Sequence, residues 1–334
     1  GHSQRRDRTC KNSCHCHTGV MTIPDQVTAL AEERGRARVN KDFVRSDQLR
    51  DEIAVAGWVI KDTPEGYSLT QAPPFGVTAH LGALVDQYAE SIPGTTVVLV
   101  IVDGWPEDTR MSLIALLEHV PIGVKVLVFD CGNVDGAGVV VHELAQNHPD
   151  LVEFHFAHTL AELGWASVVN AAVAITSSDF FAVMDLSTIW EGEALTPILD
   201  AFQDPKVALS GWRGVNVDVS QDWREFGSAT AGDVDAVLGY FMVVRGSVAR
   251  EIGPDPKAKF YRNADMEWSL AIRAAGHKVV IPEGELPLRQ ERHHGYHDSE
   301  PSYRDKQSKK TYDRLLQKFR KSPEILHQVD VHGN

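Results

Sequence analysis

Three aspartates stand where apolar runs stop: Asp103 closes "TTVVLVIVD", Asp130 closes "VKVLVFD" and Asp185 closes "FFAVMD". Acids at the carboxyl ends of parallel strands would line one crevice, because that is where an open α/β sheet binds its ligands. Taken singly, each also reads as a turn former or a helix cap. Two residues beyond Asp185 comes Ser187, so this strand ends in one carboxylate and one hydroxyl where a cation site would offer two carboxylates. Mg²⁺ is commonly held by one or two carboxylates, with water and phosphate filling its octahedron, so Asp185 alone does not abolish such a site. Further along, "NADMEWS" adds two more acids, Asp265 and Glu267. Such an acid either takes a proton from a substrate or, at a helix start, accepts backbone N–H bonds as a cap. "RHHGYH" adds His293, His294 and His297, as metal donors or as surface histidines. A separate group, Cys10, Cys14 and Cys16 with His15 and His17, offers zinc-type donors without the distant second pair of a zinc module, and reads as a mobile tail or a metal site.

These residues need elements to hold them. From about residue 95 strands alternate with helices: "TTVVLVIVD", then "TRMSLIALLEHV"; "VKVLVFD", then "GAGVVVHELAQNH"; "LVEFHFA"; then the helix "WASVVNAAVAITS" and the strand "FFAVMD". That alternation predicts an α/β fold with a mixed, mainly parallel sheet and helices on both faces. Ahead of it, Ile23, Val27 and Leu30 recur at helical spacing, and Leu49 and Ile53 share a face of a second helix that Gly57 stops. "WVIKDTPEGYSL" then reads as two short strands around the turn Thr63-Pro64-Glu65-Gly66. The expected organisation is a flexible tail over 1–20, a helix-helix-hairpin module over 21–71, a linker over 72–94 opened by "TQAPPFG", the main domain over 95–300, and a basic helix and tail over 301–334.

The 334 residues are 43% hydrophobic, enough for a full core, and four cysteines are too few for a disulfide scaffold. The formal charge of −13 disfavours non-specific attraction to nucleic acid, which depends on Lys and Arg displacing phosphate counterions. Residues 1–70 carry eleven Lys and Arg against ten Asp and Glu, so the acidity lies in the rest of the chain. The basic run "YRDKQSKKTYDRLLQKFRK" is expected to be a solvated helix face. No apolar run approaches the ~18 residues of a membrane span, and the charged N-terminus lacks the apolar centre of an export signal, so a cytoplasmic location is expected.

The order of these pieces over residues 95–297 resembles the family 2 glycosyltransferases of GT-A (Rossmann-like) fold. "VIVDGWPEDTRMSLIALLE" is similar to their opening strand and helix, "VLVFDCGNVDGAG" to the strand whose acid touches the nucleotide base, and "LGWASVVNAAVAITSSDFFAVMDLS" to the run into the metal-binding strand. "GYFMVVRGSVAREIG" and "FYRNADMEWSLAIRAAGHKVVIP", ending in "RHHGYH", resemble the acceptor-side segment. The resemblance implies an inverting transfer from a UDP- or GDP-linked sugar to an acceptor hydroxyl, assisted by Mg²⁺ or Mn²⁺. It places Asp103, Asp130, Asn133, Asn170, Asp185 and Ser187 at the nucleotide-sugar, Asp185 and His294 at the metal, and Asp265 as base. Tyr240, Trp268 and Glu267 would face the sugar or acceptor, although aromatic residues on such elements also serve as core.

Residues 37–69 resemble a C-terminal segment of cysteinyl-tRNA synthetases, where an Asp-x-x-Arg helix leads into an Asp-Thr-Pro-x-Gly turn. None of a synthetase's catalytic domain is present, so the module implies packing or dimer contacts, or, as the lesser alternative, contact with RNA. Ser187 leaves open a second reading of the main domain, a nucleotide-sugar-binding or scaffold protein without turnover. A nucleotidyltransferase is disfavoured, because no glycine-rich loop bearing Arg or Lys follows the first strand.

Overall fold

The computed structural model describes residues 22–327 and divides into two compact units that part between Pro73 and Pro74. The Cys10, Cys14 and Cys16 group lies outside the described residues.

The first unit is a helix pair, α1 (Asp25–Val39) and α2 (Phe43–Val55), followed by an antiparallel hairpin of β1 (Trp58–Thr63) and β2 (Gly66–Gln71). Asp42 caps α2 by accepting the Arg45 N–H at 3.0 Å, which satisfies one free donor of the first turn. Val27 and Ala31 of α1 meet Ile53 of α2 and Ile60 of β1 in a core of four buried apolar side chains. Arg34 is buried beside them and donates to both oxygens of Asp62, at 2.8 and 3.2 Å.

The second unit begins with α3 (Leu81–Tyr88), which corrects the expected linker over 72–94. Leu84 of this helix is fully buried and packs with Ile92 in the main core, so its apolar face holds it to the domain and does not leave it as a spacer. There follow β3 (Thr96–Val102), α4 (Pro106–His119), β4 (Lys125–Cys131), α5 (Ala137–Ala145), β5 (Leu151–Phe156), α6 (Leu160–Leu163), α7 (Trp165–Ile175) and β6 (Phe180–Met184). Then come β7 (Thr188–Trp190), α8 (Leu195–Asp200), β8 (Val207–Gly211), β9 (Gly214–Val217), β10 (Phe226–Ala229), β11 (Gly232–Asp233), β12 (Ala236–Val237) and β13 (Phe241–Arg245). The unit closes with α9 (Gly246–Glu251), α10 (Ala264–Ala274), β14 (Lys278–Ile281), β15 (Leu288–Gln290), α11 (His294–His297) and α12 (Pro301–Phe319).

Eight strands form one sheet in the order β11-β14-β8-β13-β6-β3-β4-β5. β6, β3, β4 and β5 run parallel, while β13 runs antiparallel between β6 and β8. β3 shows why it sits at the centre. Val97 and Leu99 face one core, with α7 and α10, and Val98, Val100 and Val102 face the other, with α4, α5 and α8. A strand covered on both faces can be apolar at successive positions, and "VVLVIV", residues 97–102, is.

The basic C-terminal run departs from expectation. α12 buries Leu315 and Phe319 against Met266 and Leu270 of α10, so one of its faces is core and only the other is solvated.

Candidate active site

The chain runs β3, β4, β5 toward one edge of the sheet and returns through α7 to place β6 on the opposite side of β3. The strand order therefore reverses at β3 and β6, and the crevice of such a sheet opens where it reverses. A cavity of about 320 Å³ lies at this point. Asp103, just after β3, and Asp185, just after β6, stand on its walls, together with Asp265 and His293. Trp165, Phe260 and Tyr261 supply apolar lining beside these polar groups, the combination of apolar wall and placed polar groups found in small-ligand sites.

Asp185 is the most constrained of the four. Its Oδ1 accepts the Ser187 N–H at 2.8 Å and the Ser187 hydroxyl at 2.5 Å, and its Oδ2 faces His293 Nε2 at 3.2 Å. Burial works against its charge, but the His293 hydrogen bond and charge, with both Ser187 donors, outweigh it and hold the carboxyl below its usual range. His293 is pulled the other way. Burial disfavours its charged form, yet Asp185 and then Asp103 hold its pKa above the ordinary imidazole value. Asp103 is pushed up to about 6, first by burial and then by the nearby Asp185 charge. Two carboxylates that repel one another, with an imidazole turned toward one of them, form a donor set suited to a divalent cation.

Asp265 stands in the first turn of α10, behind Asn263, whose φ of 69° starts the helix from the left-handed region. One of its oxygens accepts the Gly239 N–H and the other the Met266 N–H, each at 2.8 Å. Burial raises its pKa to about 6 in spite of those two donors. A carboxylate near 6, lining a cavity and fixed by two backbone bonds, has the properties of a general base.

Several expected site residues are held by other partners. His294 lines the cavity, but its Nε2 meets Asp108 at 3.1 Å, its Nδ1 meets Asp298 at 2.5 Å, and its ring stacks on Trp105 at 4.7 Å. The histidine that faces Asp185 is its neighbour His293, whose ring is itself stacked on Tyr261 at 4.7 Å. Asp130 is fully buried on β4, one strand away from the reversal, with Oδ2 at 2.8 Å from His155 Nδ1, and it does not line the cavity. Asn133 turns its side-chain oxygen to the Val139 N–H, and Asn170 donates to the Pro254 carbonyl at 2.9 Å; both serve the backbone. Glu267 is buried on the opposite side of α10, accepting from Arg314 at 2.8 and 2.6 Å and from Lys318 at 2.9 Å. Trp268 is core, its Nε1 bonded to the Ile252 carbonyl. Tyr240 sits next to cavity-lining Gly239, with Arg213 over its ring at 5.1 Å. Tyr261, Trp105 and Asp108 also line the cavity, and nothing in the sequence sets them apart: Trp105 and Asp108 follow β3 and Tyr261 precedes α10, positions where aromatic and acidic residues are common.

Residues 113–245 match the family model described as Glycosyl transferase family 2. Among solved structures, GalNAc-T7, a complex with UDP, GalNAc and Mn²⁺, is similar with a TM-score of 0.53 at 11% identity, covering 67% of this chain and 48% of that one. The mannosyltransferase PcManGT from Pyrobaculum calidifontis, a complex with GDP-Man and Mn²⁺, has a TM-score of 0.52 at 15% identity, covering 87% of this chain and 76% of that one. The likeness to these structures shows the fold of the larger unit, a GT-A-type sheet, and the family match spans less than half of the chain. The N-terminal similarity is of another kind. A cysteine–tRNA ligase of Opitutus terrae is 54% identical over 50 residues, and one of Burkholderia lata 45% over 50 residues. Each match covers 15% of this chain and spans 11% of the relative's length.

Proposed function

We propose that the larger unit moves a sugar from a nucleotide-diphosphate sugar to an acceptor hydroxyl, with inversion at the anomeric carbon and Asp265 as the base. The observation that carries this is the convergence of Asp103, Asp185, His293 and Asp265 on one cavity at the strand-order reversal. A divalent cation, when bound, would supply positive charge to the departing diphosphate, and Asp185 Oδ2 with His293 Nε2 would hold it. Ser187 keeps Asp185 oriented through two hydrogen bonds and adds no charge, so the cation would arrive with its nucleotide. Asp103 would stand beside the nucleotide. Each oxygen of Asp265 accepts one backbone N–H and retains a lone pair, so it can take the acceptor's O–H proton as the acceptor oxygen bonds to the anomeric carbon and the sugar–phosphate bond breaks. Trp165, Phe260 and Tyr261 would exclude water from that step, favouring transfer over hydrolysis.

The test is a panel of UDP- and GDP-sugars, with and without Mn²⁺ or Mg²⁺, followed by thermal shift and by release of the nucleoside diphosphate. The expected outcome is cation-dependent binding with turnover for at least one donor. Binding without turnover across the panel would instead support the binding-protein reading that Ser187 leaves open.

A further inference from the structure

β5 is the edge strand of the large sheet, two strands away from the reversal at β3 and β6, and Glu153 and His155, two residues apart, share one of its faces. α5 brings His142 against them. His142 Nδ1 lies 2.8 Å from Glu153 Oε1, and His155 Nε2 lies 2.7 Å from Glu153 Oε2. One ligand atom from each of the three residues falls within a span of 4.8 Å. The remaining nitrogen of His155, Nδ1, is 2.8 Å from Asp130 Oδ2. None of these four residues lines the cavity at Asp185.

Both nitrogens of one imidazole thus face carboxylate oxygens, although a neutral ring carries a single proton. The second contact sets a lone pair against a carboxylate unless another positive charge lies between them. The setting makes this costly, because the side chains of His155 and Asp130 are 3% and 0% exposed. Either a second ring proton or a metal ion removes the conflict. With an ion, His155 keeps its Nδ1–H on Asp130 and gives Nε2 to the ion, the arrangement in which a carboxylate fixes the tautomer of a metal-bound histidine. Two imidazole nitrogens and one carboxylate oxygen form a donor set that suits Zn²⁺ better than Mg²⁺, which prefers oxygen alone. Phe75 stacks on the His155 ring with centroids 3.5 Å apart and covers it with an apolar wall. His142 and Glu153, at 23% and 20% side-chain exposure, leave an approach from solvent.

We propose that His142, Glu153 and His155 bind a zinc-type divalent cation, with Asp130 orienting His155, and that the ion ties α5 to the edge of the sheet.

The test uses the chelator-stripped full chain with Cys10, Cys14 and Cys16 replaced by serine, so that thiolates do not compete, and ZnCl₂ alone as probe. About one zinc per chain should survive desalting, raise the unfolding temperature, and hold His155 in the Nδ1–H form in long-range ¹H–¹⁵N spectra. His142→Gln and Glu153→Gln should each weaken zinc binding by about tenfold or more, and Asp130→Asn by roughly ten- to a hundred-fold. Asp185→Asn should leave it unchanged, which separates this site from the cavity. Circular dichroism confirms that each variant is folded, and His142→Gln, on the exposed side, is the least disruptive of them. A chain that binds no zinc, zinc that remains in folded His142→Gln and Glu153→Gln, or a doubly protonated His155 indifferent to zinc would each overturn the proposal.

Discussion

Asp265 feels two opposing influences, burial that favours its protonated form and two backbone N–H donors that favour its charge, and burial wins to set it near 6. A base works only when deprotonated, so kcat/KM should rise as pH increases through about 6 and then level off. Asp265→Asn should abolish that limb and lower kcat by at least about 10², the lower end of what a general base contributes, with donor affinity retained. An equal loss of donor affinity, measured by calorimetry, would make Asp265 a binding residue. Ser187 sets a second expectation. It is buried, and its hydroxyl bonds to Asp185 Oδ1, so Ser187→Asp would place a second carboxylate against the first. The metal-free variant should lose on the order of 1–3 kcal/mol of stability, the cost of an unsatisfied buried polar group, and Mn²⁺ should restore it by binding the doubled carboxylates. Denaturant melts with and without Mn²⁺ check this, and a variant as stable as the parent without metal would contradict it.

At the scale of elements, α10 carries opposite tasks on its two sides. Asp265 faces the cavity, while Glu267 anchors Arg314 and Lys318 of α12. Glu267→Gln should destabilise the domain by about 3 kcal/mol, at the lower end for a broken buried pair because Asp255 still reaches both cations, and donor binding should survive in the folded fraction. Asn170 invites a similar separation. Its bond to the Pro254 carbonyl ties α7 to the segment after α9, so Asn170→Ala should cost about 1 kcal/mol in stability and leave the donor dissociation constant unchanged. A large loss of donor affinity would return Asn170 to the nucleotide-sugar site. These two residues also show what sequence could reveal. The buried strands and the α/β alternation were legible because β3, β4 and β6 are continuous apolar runs. Which side of α10 or α7 a polar residue faces depends on tertiary partners that no local pattern encodes. The same limit separates Asp103 and Asp185 from Asp130. All three close strands alike, but only the pairing of β6 with β3 decides which of them share the crevice. His293 and His294 are adjacent at the start of a single helical turn, where no periodicity distinguishes the one facing Asp185. Glu153 and His155 alternate correctly for one strand face, yet His142 joins them only through the packing of α5 on β5.

For the whole molecule, two units of unequal strength share one chain. The larger holds two extensive cores on either face of its sheet, together with Asp103, Asp185, Asp265 and His293. Among the described residues, the smaller holds four buried apolar side chains in its core cluster and a single two-stranded hairpin, too little apolar burial to be more than marginally stable in isolation. Its likeness spans 11% of a tRNA ligase's length, and the near-neutral balance of charges over residues 1–70 gives nucleic acid little to attract. A chain beginning at Pro74 should therefore unfold cooperatively within a few degrees of the full-length protein and bind the same donor with the same affinity. Residues 22–73 alone should show a shallow, low-temperature melt by circular dichroism. Donor binding that disappears with the first 73 residues would mean that the smaller unit completes the site. RNA binding by the full chain that survives moderate salt and disappears with those residues would assign it a task of its own.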